Sequence, residues 1–224
     1  MTVRRQPPDW PAGPPGAGEP PRAPRPARGE GTTQAILDTA ELLLANRSLH
    51  EIGIDELAAG AGVARSTFYL HFESREDVLY ALSDRLCREI YTSAVVWFRR
   101  GDESPKEAVE RALTHTVALW RAHGPALRAS VRGRETDPRL AELWRDIARR
   151  FMRSAAVQIE SERNAGLAMP GPPSARALAR VLVMMNEAAC YQQTLLPPSP
   201  EWDTELIDTL GTIWVRSIYG PDAV

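Results

Sequence analysis

From Thr32 onward, apolar residues recur three and four positions apart, and nowhere does a strand-like alternation persist. Ala35, Ile36, Ala40, Leu43 and Leu44 predict a first helix reaching about Asn46. A loop follows, then a short helix over about Asp55–Ala61 with Gly62 as its left-handed stop. Phe68 and Phe72, one helical turn apart, mark a third short helix. Ser74 with Asp77 opens a long fourth helix running towards Arg100. Ser104-Pro105 with Glu107 starts a helix through Trp120, and Asp137-Pro138 starts another through about Ala165. Ser174 opens a run to Leu195, and Ser199-Pro200-Glu201 opens the last helix, which Gly220-Pro221 ends after Tyr219. "MPGPP" and "LPPSP" are the linkers. The pattern is all-α, with about nine helices.

Composition changes this picture at one end. Residues 1–29 are dense in Pro, Gly and Arg with almost nothing to bury, so they predict a disordered arm. A solvated tail is the expected role of that arm, with a phosphate-touching arm that orders on DNA as the alternative. The remainder divides into a helix-turn-helix unit over residues 30–78 and a helical body over 79–220. No apolar run reaches the ~18 residues a membrane helix needs, and a cytoplasmic location is expected. Cys87 and Cys190 sit in apolar helical patterns and read as reduced, packed thiols. Four histidines lack metal-ligand spacing, and no Gly-rich phosphate loop or nucleophile elbow is present. Neither an enzyme nor a cofactor is expected. A net charge of −2 does not advertise nucleic acid, so any DNA contact must rest on local placement.

Such placement exists in "GVARSTFYLHFESREDVL", residues 62–79. Phe68 and Phe72 share one face and pack, with Val63 and Leu57, against the first helix. That leaves Arg65, Ser66, Thr67, Tyr69 and His71 facing elsewhere. Arg pairs with guanine edges, Ser and Thr bond bases or phosphates, and a tyrosine hydroxyl holds phosphate. Arg75, in the first turn of the next helix, is placed to clamp the backbone. Periodicity alone also fits a helical hairpin whose polar residues merely meet solvent. The stretch "IDELAAGAGVARSTFYLHFESREDVL" resembles the signature of the TetR family of transcriptional repressors, over about Thr32 to Leu79. The resemblance implies a homodimer reading a double-stranded operator through Arg65, Ser66, Thr67, Tyr69, His71 and Arg75. Gly53 stands where many members carry Thr or Ser, so that hydroxyl contact to phosphate is missing here.

The body is rich in bulky side chains: Trp97, Phe98, Trp120, Trp144, Phe151, Met152, Met184, Met185 and Trp214. Core packing accounts for most of them, yet a helical body rich in Trp and Met also suits an apolar ligand. Asn186 lies in the apolar run "VLVMMNEAAC" and needs a partner, from another helix, a second subunit or a ligand. Glu187 beside it reads as an interhelical ion-pair or capping partner rather than a ligand group. The pieces "AELW", "MNE" and "IWVRSIYG" resemble the EthR-type branch of the family. That resemblance implies a small hydrophobic effector held by Trp144, Asn186 and Trp214, with Trp120 at a further aromatic position. Val183 occupies the place of a second asparagine in that branch, which removes one polar contact. Ala177, Val181, Met184, Ala188 and Tyr191 line one face of the penultimate helix, and the last two helices suit a four-helix dimer interface. The alternative is a helical interaction or ligand-binding protein without operator-specific reading.

Overall fold

The structure, a computed structural model, describes residues 28–94 and 103–221. Nine α-helices occur among the described residues, with no strand. Three form the N-terminal unit: α1 (Arg28–Leu44), α2 (Ile54–Gly60) and α3 (Arg65–Phe68), with a single 3-10 turn at Leu49–Glu51 between the first two. The long α4 (Arg75–Ala94) leads into the body, made of α5 (Pro105–Ala122), α6 (Gly124–Gly133), α7 (Pro138–Asn164), α8 (Ala175–Gln193) and α9 (Pro200–Tyr219). The proline-rich stretch 1–27, the expected end of α4 near Arg100, and Trp97 and Phe98 lie outside the described residues.

The helix starts follow from side-chain oxygens that satisfy the first free N–H groups. Ser104 and Glu107 form a reciprocal capping box at α5: the Ser104 Oγ accepts the Glu107 N–H at 3.3 Å, and the Glu107 carboxylate accepts the Ser104 N–H at 2.8 Å. Asp137, Ser174 and Ser199 cap α7, α8 and α9 with a single side-chain acceptor each, and Ser74 accepts the Asp77 N–H at 3.1 Å. At α2 the cap residue is Gly53, so only half a box remains: the Glu56 carboxylate accepts the Gly53 N–H at 2.9 Å. Gly62 has φ +67° and ends α2, a conformation most residues enter only with strain.

One helix has no counterpart in the sequence pattern. α6 begins at Gly124-Pro125 behind His123, with no capping hydroxyl, and its buried face sets small residues around Leu127. Gly124, Ala126, Leu127 and Ser130 are buried there, and α6 packs against α4 and α7.

Two apolar clusters fill the molecule. One runs from α1 and α3 along α4 to Trp120, Trp144 and Ile147. The other joins α5, α7, α8 and α9 around Leu113, Ile159, Leu182, Leu210 and Ile218. Ion pairs tie the N-terminal unit to the body. Arg85 of α4 reaches Asp38 at 2.6 Å and Glu41 at 2.7 Å on α1, and Glu41 also contacts His123. Arg139 of α7 reaches Asp77 of α4 at 2.6 Å. These pairs are partly solvated, so each fixes geometry more than it adds stability.

Candidate functional site

Two sites emerge, one at each end of the first apolar cluster. The first is the face of α3. Phe68 is fully buried and Phe72 nearly so, their ring centroids 5.9 Å apart, which pins the short helix onto α1 and α2. A four-residue helix cannot stand alone, and this anchoring supplies the missing stability. With the apolar side fixed, Arg65, Ser66 and Tyr69 are exposed and Thr67 half-buried. The Tyr69 ring stands edge-on to Phe68 at 5.7 Å, which holds its hydroxyl outward. Arg65 donates to that hydroxyl at 3.2 Å and to Asp55 of α2 at 2.6 and 2.8 Å. The bonds to Tyr69 and Asp55 raise the Arg65 pKa further above its ordinary value. The hydroxyls of Ser66 and Thr67 make no hydrogen bond among the described residues.

The two other residues nominated for DNA contact sit at the margin of this face. His71 Nδ1 lies 3.0 Å from the Thr33 hydroxyl, joining the turn after α3 to α1. Arg75 donates to the carbonyls of His50 at 2.7 Å and Ile52 at 3.3 Å, and to the Glu76 carboxylate at 3.1 Å. It therefore braces the 3-10 turn against the start of α4.

The second site lies where the two apolar clusters meet. A cavity of about 110 Å³ opens there, and Trp120, Trp144, Asn186 and Trp214 all border it. Four residues chosen from separate helices thus converge on one space. Trp120 on α5 and Trp144 on α7 have ring centroids 6.0 Å apart. The Trp144 indole donates to the buried Ser130 hydroxyl at 2.8 Å, which gives α6 a part in orienting the wall. The Arg134 guanidinium sits 5.0 Å from the Trp144 ring and pairs with Glu187 at 2.7 Å. Glu187 borders the cavity as well as making the expected interhelical pair.

Asn186 finds its partner on a neighbouring helix. Its Oδ1 accepts the Trp214 indole N–H at 3.0 Å. The amide orientation is thereby fixed, and among the described residues the Nδ2 group donates to no other side chain. Val183 borders the same space and offers no second amide. Residues that sequence reading passed over also line it, notably Thr116, Ile147 and Ala148. No local signal marks them, because their role comes from which helix face meets which. Cys87 is at the wall too, and burial pushes its thiol up to about 12, so it stays protonated and unreactive near neutrality. Among the described residues no group of His, Cys, Asp and Glu is placed to hold a metal.

A third surface is apolar and uncovered. On α8, Val181 is 63% exposed and Met184 51%, flanked by exposed Ala177 and Ala188, with Tyr191 partly buried. On α9, Trp202 and Ile213 are exposed. No described helix is long and apolar enough to cross a membrane.

Comparison with known proteins matches this arrangement from both ends. The family model described as "Bacterial regulatory proteins, tetR family" matches residues 36–82, and that described as "Transcriptional regulator EthR, C-terminal domain" matches residues 109–220. The HTH-type transcriptional regulator EthR of Mycobacterium tuberculosis is 36% identical over 205 residues, covering 89% of this chain and 94% of the relative. EthR of Mycolicibacterium smegmatis is 33% identical over 203 residues, covering 89% of this chain and 93% of the relative. Among solved structures, a regulator from Saccharomonospora viridis in complex with choline has a TM-score of 0.66 at 20% identity, covering 83% of this chain and 96% of its own. A tetR-family regulator from Mesorhizobium loti also gives 0.66, at 15% identity, covering 87% of this chain and 100% of its own. At these identities the structural likeness concerns the fold alone. The helix-turn-helix match at residues 36–82 and the EthR-type match at 109–220, with 36% identity to EthR over most of the chain, make this chain a member of the TetR family of helix-turn-helix transcriptional regulators, in its EthR-like branch.

Proposed function

We propose that the chain is a ligand-responsive repressor that binds a palindromic operator as a homodimer and is released by a small hydrophobic effector. In this reading residues 30–78 read DNA, residues 79–220 hold effector and partner, and the protein works in the cytoplasm beside its operator. The observation that carries it is the reach of α4. Its first residue, Arg75, braces the reader, and its Cys87 and Ile90 line the cavity. The two ends lie 15 residues apart, about 22 Å along one helix. Anything that wedges the cavity open bears on the element from which the reader hangs.

The reader supports double-stranded DNA as the partner. Arg65 and Tyr69 supply cation and hydroxyl for phosphate or guanine, while Ser66 and Thr67 supply free hydroxyls. His71 and Arg75 act from the margin, Arg75 by shifting from a carbonyl to a phosphate or by holding the turn in register. The cavity supports an effector with an apolar body against Trp120 and Trp144. It also needs one acceptor atom for the Nδ2 hydrogens of Asn186, because the Asn186 oxygen already serves Trp214. The exposed face of α8 and α9 supports the dimer, in which two readers are spaced by about one DNA turn or a multiple.

For release, the effector must bind the DNA-incompetent arrangement more tightly, since equal affinity would shift nothing. The test is a fluorescence-anisotropy titration on a duplex selected by the protein, with and without an aryl ketone that saturates the cavity. A ketone that occupies the cavity and leaves duplex affinity unchanged would sink the release mechanism. Tyr69→Phe with Arg65→Ala should weaken the duplex and flatten its salt dependence. If neither changes, the reader assignment is wrong.

A further inference from the structure

The most exposed large apolar side chain among the described residues is Leu70, at 82%. It lies on the reader, just beyond α3, where the helical hydrogen bonding continues: the Tyr69 N–H reaches the Arg65 carbonyl at 3.2 Å, and the Phe72 N–H reaches the Phe68 carbonyl at 3.0 Å. At roughly 100° per residue, Leu70 points opposite the midpoint of Phe68 and Phe72, with Ser66 beside it. Arg65 and Tyr69 flank this ridge on one side, Thr67 and His71 on the other. The exposures agree with that geometry, because Tyr69 at 45% is half as open as Leu70.

The anchors leave no freedom to turn Leu70 away. Phe68 and Phe72 are buried, and the N–H groups of Leu70 and His71 are tied to the carbonyls of Thr67 and Phe68. If α3 enters a major groove with its anchored side outward, Leu70 is the side chain nearest the base edges. A leucine has no donor for phosphate and no acceptor for a base amine. The apolar feature that the major groove presents is the thymine 5-methyl group.

We infer that Leu70 is a specificity-determining residue that reads a thymine methyl in each half-site. This rests on the operator-reading function proposed above and deepens it, by assigning apolar readout to a position that hydrogen-bond chemistry would overlook. Arg65 and Tyr69 then position the helix, and Leu70 makes part of the choice among sequences.

The probe is a duplex enriched by the wild-type protein from a randomised pool, in which each thymine is replaced in turn by deoxyuridine. Removing one methyl from a buried apolar contact should weaken wild-type binding about fourfold per half-site, at one thymine position. Leu70→Ala should bind the parent duplex more weakly, show no further loss at that deoxyuridine, and keep the wild-type salt slope. Leu42→Ala removes another exposed leucine, on α1 at 74%, and should leave the whole deoxyuridine profile unchanged. A wild-type protein indifferent to every deoxyuridine, or a Leu70→Ala protein that keeps the same penalty, overturns the assignment. A pool from which no duplex is enriched instead overturns operator reading itself, and the role of Leu70 with it.

Discussion

Trp214→Phe keeps an aromatic ring in the cavity wall and removes the N–H donated to Asn186 at 3.0 Å. Trp214 is only 6% exposed, so the lost donor is not replaced freely by water. Such a bond contributes about 1 kcal/mol net, and the smaller ring gives up further apolar burial at ~0.8 kcal/mol per methylene equivalent. A single substitution mixes the two effects. A double-mutant cycle with Asn186→Leu separates them, because the area lost at residue 214 cancels. The expected coupling is about 1 kcal/mol, equivalent to roughly 2–4 °C in melting temperature for a chain of this size. Urea unfolding of the four proteins, at one fixed concentration because a dimer is proposed, measures it. The same substitution frees the Asn186 amide to turn, so Trp214→Phe should lose its preference for an aryl ketone over the matched carbinol. A coupling below ~0.3 kcal/mol, within the scatter of additive sites, would refute the claim that Trp214 fixes this amide.

Other expectations follow from neighbouring contacts. Asp55→Asn removes the carboxylate that competes for Arg65 and should tighten duplex binding several-fold at low salt, fading as salt rises; anisotropy across a salt series checks this. Gly60→Ala should destabilise the N-terminal unit, because the new methyl would meet the Thr39 Cγ2 at 2.4 Å, and Thr39→Ser should restore most of the loss in thermal melts. Burial opposes ionisation of Asp203, yet hydrogen bonds from Arg121 and Gln193 prevail and hold its pKa below the ordinary 3.8. Its folded pKa being the lower, this contribution to stability is complete above the unfolded value and is lost as pH falls through the folded one. Arg121→Gln should therefore shrink the stability difference between pH 5 and pH 2, measured by urea unfolding.

Much of the fold is written locally. Helix starts at Ser104, Asp137, Ser174 and Ser199 are legible because each cap acts within three residues of itself. The stop at Gly62 and the anchoring pair Phe68 and Phe72 are legible for the same reason, since a positive φ and a four-residue spacing are local properties. α6 escaped the pattern because its start has neither hydroxyl nor carboxylate to mark it, and its ten residues follow α5 with only His123 between them. Its helical state is settled by close packing against α4 and α7.

The sites divide along the same line. That Arg65, Ser66, Thr67 and Tyr69 would face outward follows from the sequence, because two aromatics fix which side of a short helix is buried. Tertiary structure decided that His71 meets Thr33 and that Arg75 braces the carbonyls of His50 and Ile52, contacts spanning 38, 25 and 23 residues. In the body, sequence could nominate Trp120, Trp144, Asn186 and Trp214 one by one. Only the packing of four helices could place them around one cavity and hand the Asn186 oxygen to Trp214. Periodicity states which face of a helix is apolar. Which faces meet, and what space they leave between them, depends on long-range packing that no local spacing encodes.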